Sequence, residues 1–260
     1  MSISHSFART ARLSLAAAAV FTAASVTPAF AGPIGDKGTI QVTRQSGYYK
    51  GAGGEFTVYG YNGALDNSGY SDKASDIGKF DPSFQTFCLE SSEAAVAKTN
   101  FEIGSAAKPG GAGAQGGQDP ISQGTAWLYS QFATGDLADY FDDPKKRADN
   151  ALLLQQAIWW LEGEDGNKDK MSNAYYALAV NFFGGKSTAE ANATAGQFDV
   201  YVLNNTYVQG TGKKAKTRTA QDFLYFAGTP TVSTPDGGAT LALLGGALMA
   251  LGAIRRRFTR

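Results

Sequence analysis

The chain has 260 residues, with 23 Lys and Arg against 23 Asp and Glu, one cysteine and one histidine. The histidine is His5, inside a leader-like N-terminus, so the body has no imidazole; Cys-His and Ser-His-Asp catalysis and His-ligated metal sites are excluded. Six basic residues (Arg9, Arg12, Arg255, Arg256, Arg257 and Arg260) lie at the two ends. The body is therefore acidic, which argues against nucleic acid as a partner.

In chain order, Arg9 and Arg12 precede an apolar run over 13–26 and then Ala29-Phe30-Ala31, the layout of a signal peptide cleaved after Ala31. Residues 32–233 read as one domain. Short runs rich in β-branched and aromatic residues at 39–45, 55–62 and 83–90, bounded by Gly, Asp, Asn or Pro, predict strands. Residues 108–118 (KPGGAGAQGGQ) predict a surface loop.

Helices follow, as an insertion over about 119–185. Asp119-Pro120 predicts an N-cap with Pro at the first helical position, and Asp143-Pro144 repeats the pattern. Ala148, Leu152, Gln155, Ile158 and Trp159 form one stripe of a helix ending near Gly163; a third helix runs from Ser172 to Phe183. Strands resume at 198–203 and 222–226. The order strands, helices, strands predicts an α+β fold: an antiparallel β-sandwich or partial barrel with an inserted helical subdomain.

The tail begins with Thr234-Pro235-Asp236-Gly237-Gly238, a turn, and continues into an uncharged run over 239–254 closed by Arg255, Arg256 and Arg257. That run has 16 residues, short against roughly 20 for a comfortable membrane span. The layout resembles sorting signals of the PEP-CTERM kind, and most closely the variant with a Val-Pro-Asp-x-Gly signature, with Thr234 in place of Val. The resemblance implies a membrane helix, processing by an exosortase-type transpeptidase, and a body delivered to the outer surface of a bacterium.

The lone thiol, Cys88 in FQTFCLE, cannot form a disulfide within the chain, and an exposed one would oxidise outside the cytoplasm. Burial among Phe84, Phe87 and Leu89 is one answer. A second comes from Gln155 and Gln156, two amides within an apolar stretch over 151–161; a buried amide is costly without a partner, and Gln155 shares the inward face of Leu152 and Trp159. A thiolate beside such a carboxamide attacks its carbon, expels ammonia and leaves an internal thioester, which accounts for both residues at once.

The two motifs resemble those of bacterial thioester domains of surface adhesins, an aromatic-Cys-Ile/Leu strand and a Thr-Gln-x-Ala-Ile-Trp helix. Phe87-Cys88-Leu89 matches the first; Gln155, Ala157, Ile158 and Trp159 match the second, with Leu154 replacing Thr. Gln123 corresponds to a further glutamine on an earlier helix. The resemblance implies Cys88 and Gln155 as the bonded pair, no cofactor, and single-turnover coupling to a nucleophile on a surface target, so that the protein is an adhesin and not an enzyme.

Two other readings stand beside it. One is a non-covalent structural component of an extracellular matrix with Cys88 as a core residue. The other is a carbohydrate-active enzyme using carboxylates such as Asp136, Asp139 and Asp142. Residues 162–170 (EGEDGNKDK) lack the ligand spacing of a calcium loop and read as a solvated turn, and Lys213, Lys214, Lys216 and Arg218 read as a solvated basic loop.

Overall fold

The computed structural model describes residues 34–63, 65, 83–108, 117–165 and 170–228. The expected signal peptide and membrane helix, and Pro235, Asp236, Gly237, Arg255, Arg256 and Arg257, lie outside the described residues, as does most of 108–118. Among the described residues, no helix is long and apolar enough to cross a membrane.

The fold is α+β and built on an antiparallel sheet. Its strands are β1 (Lys37–Thr43), β4 (Phe56–Gly63), β5 (Phe84–Thr86), β6 (Lys98–Gly104), β9 (Val200–Gln209), β10 (Lys216–Thr219) and β11 (Phe223–Phe226). Two-residue strands form small pairs beside it: β2 (Tyr49–Lys50) with β3 (Gly53–Gly54), and β7 (Ala106–Ala107) with β8 (Asp119–Pro120). The main order is β10-β9-β6-β1-β4-β5. Strand β9 is long enough to take two partners in succession, β10 along its second half and β11 along its first.

The chain beyond β5 then reaches back to β11. Cys88 bridges Phe223, the Leu89 N–H donates to Asp222 O (3.2 Å), and the Leu224 N–H donates to Phe87 O (3.3 Å). The Thr86 hydroxyl adds a 2.6 Å bond to Leu224 O. These contacts close the sheet into a partial barrel, and Cys88 lies on the closing seam. The run expected as one strand over 83–90 is therefore regular only over Phe84–Thr86 and continues as this seam.

Alternation along the seam separates two cores. Cys88 joins Ile40, Val58, Phe101, Leu203 and Phe223 inside the barrel. Phe87 and Leu89 face outward, where with Val202 and Leu224 they meet the helices α1 (Gln123–Thr134), α2 (Arg147–Leu161) and α3 (Ala174–Phe182). A short α4 (Lys186–Ala189) follows.

The expected N-cap at Asp119 is corrected. Asp119 and Pro120 pair with Ala107 and Ala106, and α1 begins three residues later under Ser122, whose hydroxyl accepts from the Thr125 N–H (3.1 Å). Glu162 at the end of α2 fixes that cap by accepting from the Ser122 N–H and hydroxyl at 3.0 and 2.9 Å. Asp143 does cap, but a 3-10 turn over Pro144–Lys146 that leads into α2. The third helix starts under Asn173, whose side chain accepts from two backbone N–H groups. Gly184 ends it with φ at +70°, a conformation that favours glycine.

Glu55, fully buried between β3 and β4, ties the sheet to α2. Its two oxygens accept from Arg147 Nε and Nη2, both at 2.8 Å, and one also accepts from the Tyr140 hydroxyl at 2.7 Å. Removing one partner of such a pair strands the other charge. Glu55→Ala is expected to lower stability by about 3–5 kcal/mol in chemical denaturation, well beyond Lys50→Ala, which breaks only the exposed 2.6 Å pair with Asp149.

Candidate functional site: a buried cysteine and glutamine

Helix α2 packs across the seam with Gln155 fully buried. Its carboxamide is clamped on the backbone of one residue. The Cys88 N–H donates to Gln155 Oε1 (3.0 Å), and Gln155 Nε2 donates to Cys88 O (2.8 Å). A side-chain amide here takes the place of a neighbouring strand at the position where ladder pairing thins out, which satisfies both partners away from water.

The hairpin β2–β3 covers the stem of Gln155. A Cβ on Gly53 would stand 2.8 Å from Leu152 Cδ1 and 3.3 Å from Gln155 Cβ and Cγ, so a larger residue there presses on Leu152 and on the stem of Gln155. Arg44 holds the hairpin in place: its guanidinium donates to Gly53 O (2.7 Å) and Gly51 O (3.2 Å) and lies 3.9 Å from the centre of the Tyr49 ring.

Of the other predicted residues, Ala157 and Ile158 are fully buried in the helical core. Phe87 is there too, edge-on to Phe132 at 5.0 Å. Trp159 packs against the barrel core that holds Cys88, whereas Trp160 faces Tyr176 on the helical side. Phe87 and Trp160 thus stand in the helical core and Trp159 against the barrel core, since consecutive positions on a strand or a helix point in different directions. Gln123 opens α1, where its backbone N–H donates to Ala191 O (2.8 Å). Asp136, Asp139, Asp142 and the lysines of 213–216 are exposed. Among the described residues, no group of three or more His, Cys, Asp or Glu is placed to hold a metal ion.

Burial pushes the Cys88 thiol far above its ordinary range; the charge of Glu90 adds to the shift and Arg44 opposes it. The thiol is neutral at physiological pH. Glu90, next on the same strand face, is itself raised to about 9, first by burial and then by Asp222 and Glu93. Its Oε2 accepts from Gln221 Nε2 (2.6 Å) and from the Asp222 N–H (3.3 Å), and its buried Oε1 meets no partner among the described residues. Asp222 is raised to about 7 by burial, against the pull of the Asn205 and Lys108 N–H groups that it accepts at 2.7 and 3.0 Å.

Sequence reasoning missed Gly53, Arg44 and Glu90. The period-2 signal for Glu90 was present, two residues past Cys88; nothing local points from residues 44 and 53 to position 155.

Both carboxyls hold protons in the fold that they release in the unfolded chain near pH 4. A folded pKa above the unfolded one gives stability that is complete at acid pH and is lost as pH rises through the folded value. Denaturation midpoints are expected to fall between about pH 5 and 9, with Glu90 alone contributing up to about 1.4 kcal/mol per pH unit. Glu90→Gln is expected to remove that part of the slope.

Comparison with known proteins adds one finding: residues 235–258 match the VPDSG-CTERM motif. No curated protein and no solved structure matches the chain. The matched segment contains Pro235, Asp236, Gly237 and Arg255, Arg256 and Arg257. The chain thus carries a C-terminal sorting tail of this type, the mark of an exported protein of the cell surface.

Proposed function

We propose that Cys88 and Gln155 join in an internal thioester, and that the exported body uses it once to couple covalently to a nucleophile, an amine above all, on a surface or matrix partner. One observation carries this reading: the buried carboxamide is held by two hydrogen bonds against residue 88 itself. The resemblance of both motifs to thioester domains supports it. On this reading the protein is a single-use reagent and not an enzyme, and an exosortase-type transpeptidase processes the tail while its apolar run holds the protein at the membrane.

Formation balances simply. The sulfur adds to the Gln155 amide carbon, the carbon–nitrogen bond breaks, and the thiol proton leaves with the departing NH2 as ammonia. The bond to Cys88 O goes with the ammonia. The Cys88 N–H stays on the carbonyl oxygen, where it stabilises negative charge as a nucleophile adds. An attacking amine then forms an amide to residue 155 and returns the Cys88 thiol. The bond also closes a loop of 67 positions (88 to 155), worth about 4 kcal/mol by chain entropy.

A second reading has its own support. The same two hydrogen bonds satisfy the amide, and the barrel core accommodates the sulfur, with no reaction at all; the protein is then a non-covalent matrix component. Intact mass separates the two. Under the thioester reading the native chain is lighter by one ammonia, methylamine restores mass and frees one thiol, and Cys88→Ala, which keeps the backbone clamp, has full mass and ignores methylamine. A native chain of full mass with an inert thiol overturns it.

The glycine contact gives a further expectation. Gly53→Val forces the hairpin off Gln155, and thiol release by methylamine is expected to quicken by roughly tenfold or more, since about 1.4 kcal/mol of lost cover corresponds to one decade.

A further inference from the structure

The helices cover only part of the barrel's outer surface. Among the described residues, Asn62 of β4 and Asn100 of β6 are exposed and Thr39 of β1 and Thr206 of β9 half-buried on the outer face, and the strand register sets them in one polar row: Asn62 opposite Thr39, Thr39 opposite Asn100, Asn100 opposite Thr206, and Thr206 opposite Thr219 on β10. A second row, Lys37–Glu102–Asn204, runs beside it. The two rows border a groove of about 460 Å³.

Its polar groups are set in place. Asn62 Oδ1 accepts from the Thr39 N–H (3.2 Å) and hydroxyl (2.8 Å), which fixes the orientation of that amide. Asn204 is 4 % exposed; its Nδ2 donates to Ala106 O (3.1 Å), while its Oδ1, also buried, meets no partner among the described residues. Gly104 leaves the space for it, since a Cβ there would run into Asn204 Nδ2.

We infer that this groove binds a neutral polysaccharide chain. Hydroxyls both donate and accept, as do the Asn and Thr side chains of the row. Adjacent strands repeat those side chains at about 4.8 Å, close to the length of one pyranose unit, over a row of roughly 19 Å. The row carries no charge, and the two ammoniums beside it are already engaged: Lys108 and Lys37 both lie on Glu102, at 3.0 and 3.7 Å. No large apolar side chain stands in the row to anchor a protein partner. Neither Cys88 nor Gln155 takes part, so the inference is independent of the thioester.

Affinity electrophoresis of the full chain in mild detergent tests it, with gels cast in hydroxyethylcellulose, laminarin or galactomannan, and in alginate as the anionic comparison. Retardation is expected in at least one neutral gel, unchanged by added salt and unchanged in Cys88→Ala. The double variant Asn100→Ala, Thr206→Ala is expected to lose roughly tenfold in affinity, the loss of two ordinary hydrogen bonds, and Asn100→Arg, which fills the groove from an exposed position, is expected to abolish retardation. The inference is overturned if no neutral gel retards the chain, if only alginate does so and salt removes the effect, or if both variants migrate as wild type.

Discussion

Everything distinctive about this barrel passes through two hydrogen bonds between a helix side chain and one residue's backbone. The sheet closes where β5 has already ended as a regular strand, and the seam has few main-chain bonds of its own. Gln155 supplies two more, from outside the sheet. An amide in that role costs little, because each bond replaces one that water made. Removing it is another matter, since the N–H and C=O of Cys88 would be left buried and unpaired, at about 1–3 kcal/mol for each group. The seam, the seating of α2 and the surroundings of the thiol therefore rise or fall together.

The same arrangement explains why a solitary thiol can persist in an exported protein. Its sulfur sits among the apolar side chains of the barrel core and is held neutral by its surroundings, and the hairpin β2–β3 covers the stem of the glutamine that clamps its backbone. An oxidant needs a thiolate and a path to it; the fold withholds both. Protection of this kind serves a core cysteine and a stored acyl bond equally well. The difference between those two states is a single ammonia, which is a chemical and not a conformational distinction.

Much of the layout was legible in the residues. β-branched and aromatic runs marked β1, β4, β9 and β11, and helical periodicity together with two glycines marked α2 and α3. Inward placement of Gln155 followed from its stripe with Leu152 and Trp159. Strand β6 escaped notice although Thr99, Phe101 and Ile103 alternate with polar residues, because Lys98, Asn100, Glu102 and Gly104 dilute its β character. The start of α1 was misplaced because Asp119-Pro120 carries a strong local signal, and a pairing with Ala106 and Ala107 overrides it. The nearness of Gly53 to Gln155, and the oxygens of Glu90 and Asn204 that meet no partner among the described residues, depend on contacts between distant parts of the chain and have no local trace.

The division of β9 between two partners has a mechanical side. Strand β11 is the last strand described, and the sorting motif begins nine residues after it ends. Tension from a C-terminal tether would enter the body at β11, the four-residue strand that both leans on β9 and seals the barrel against Cys88. A load borne by residue 155 on α2 would reach the same place through its grip on position 88. In a molecule so tethered and so coupled, drag would converge on one short seam, the one that a covalent link between positions 88 and 155 would bridge.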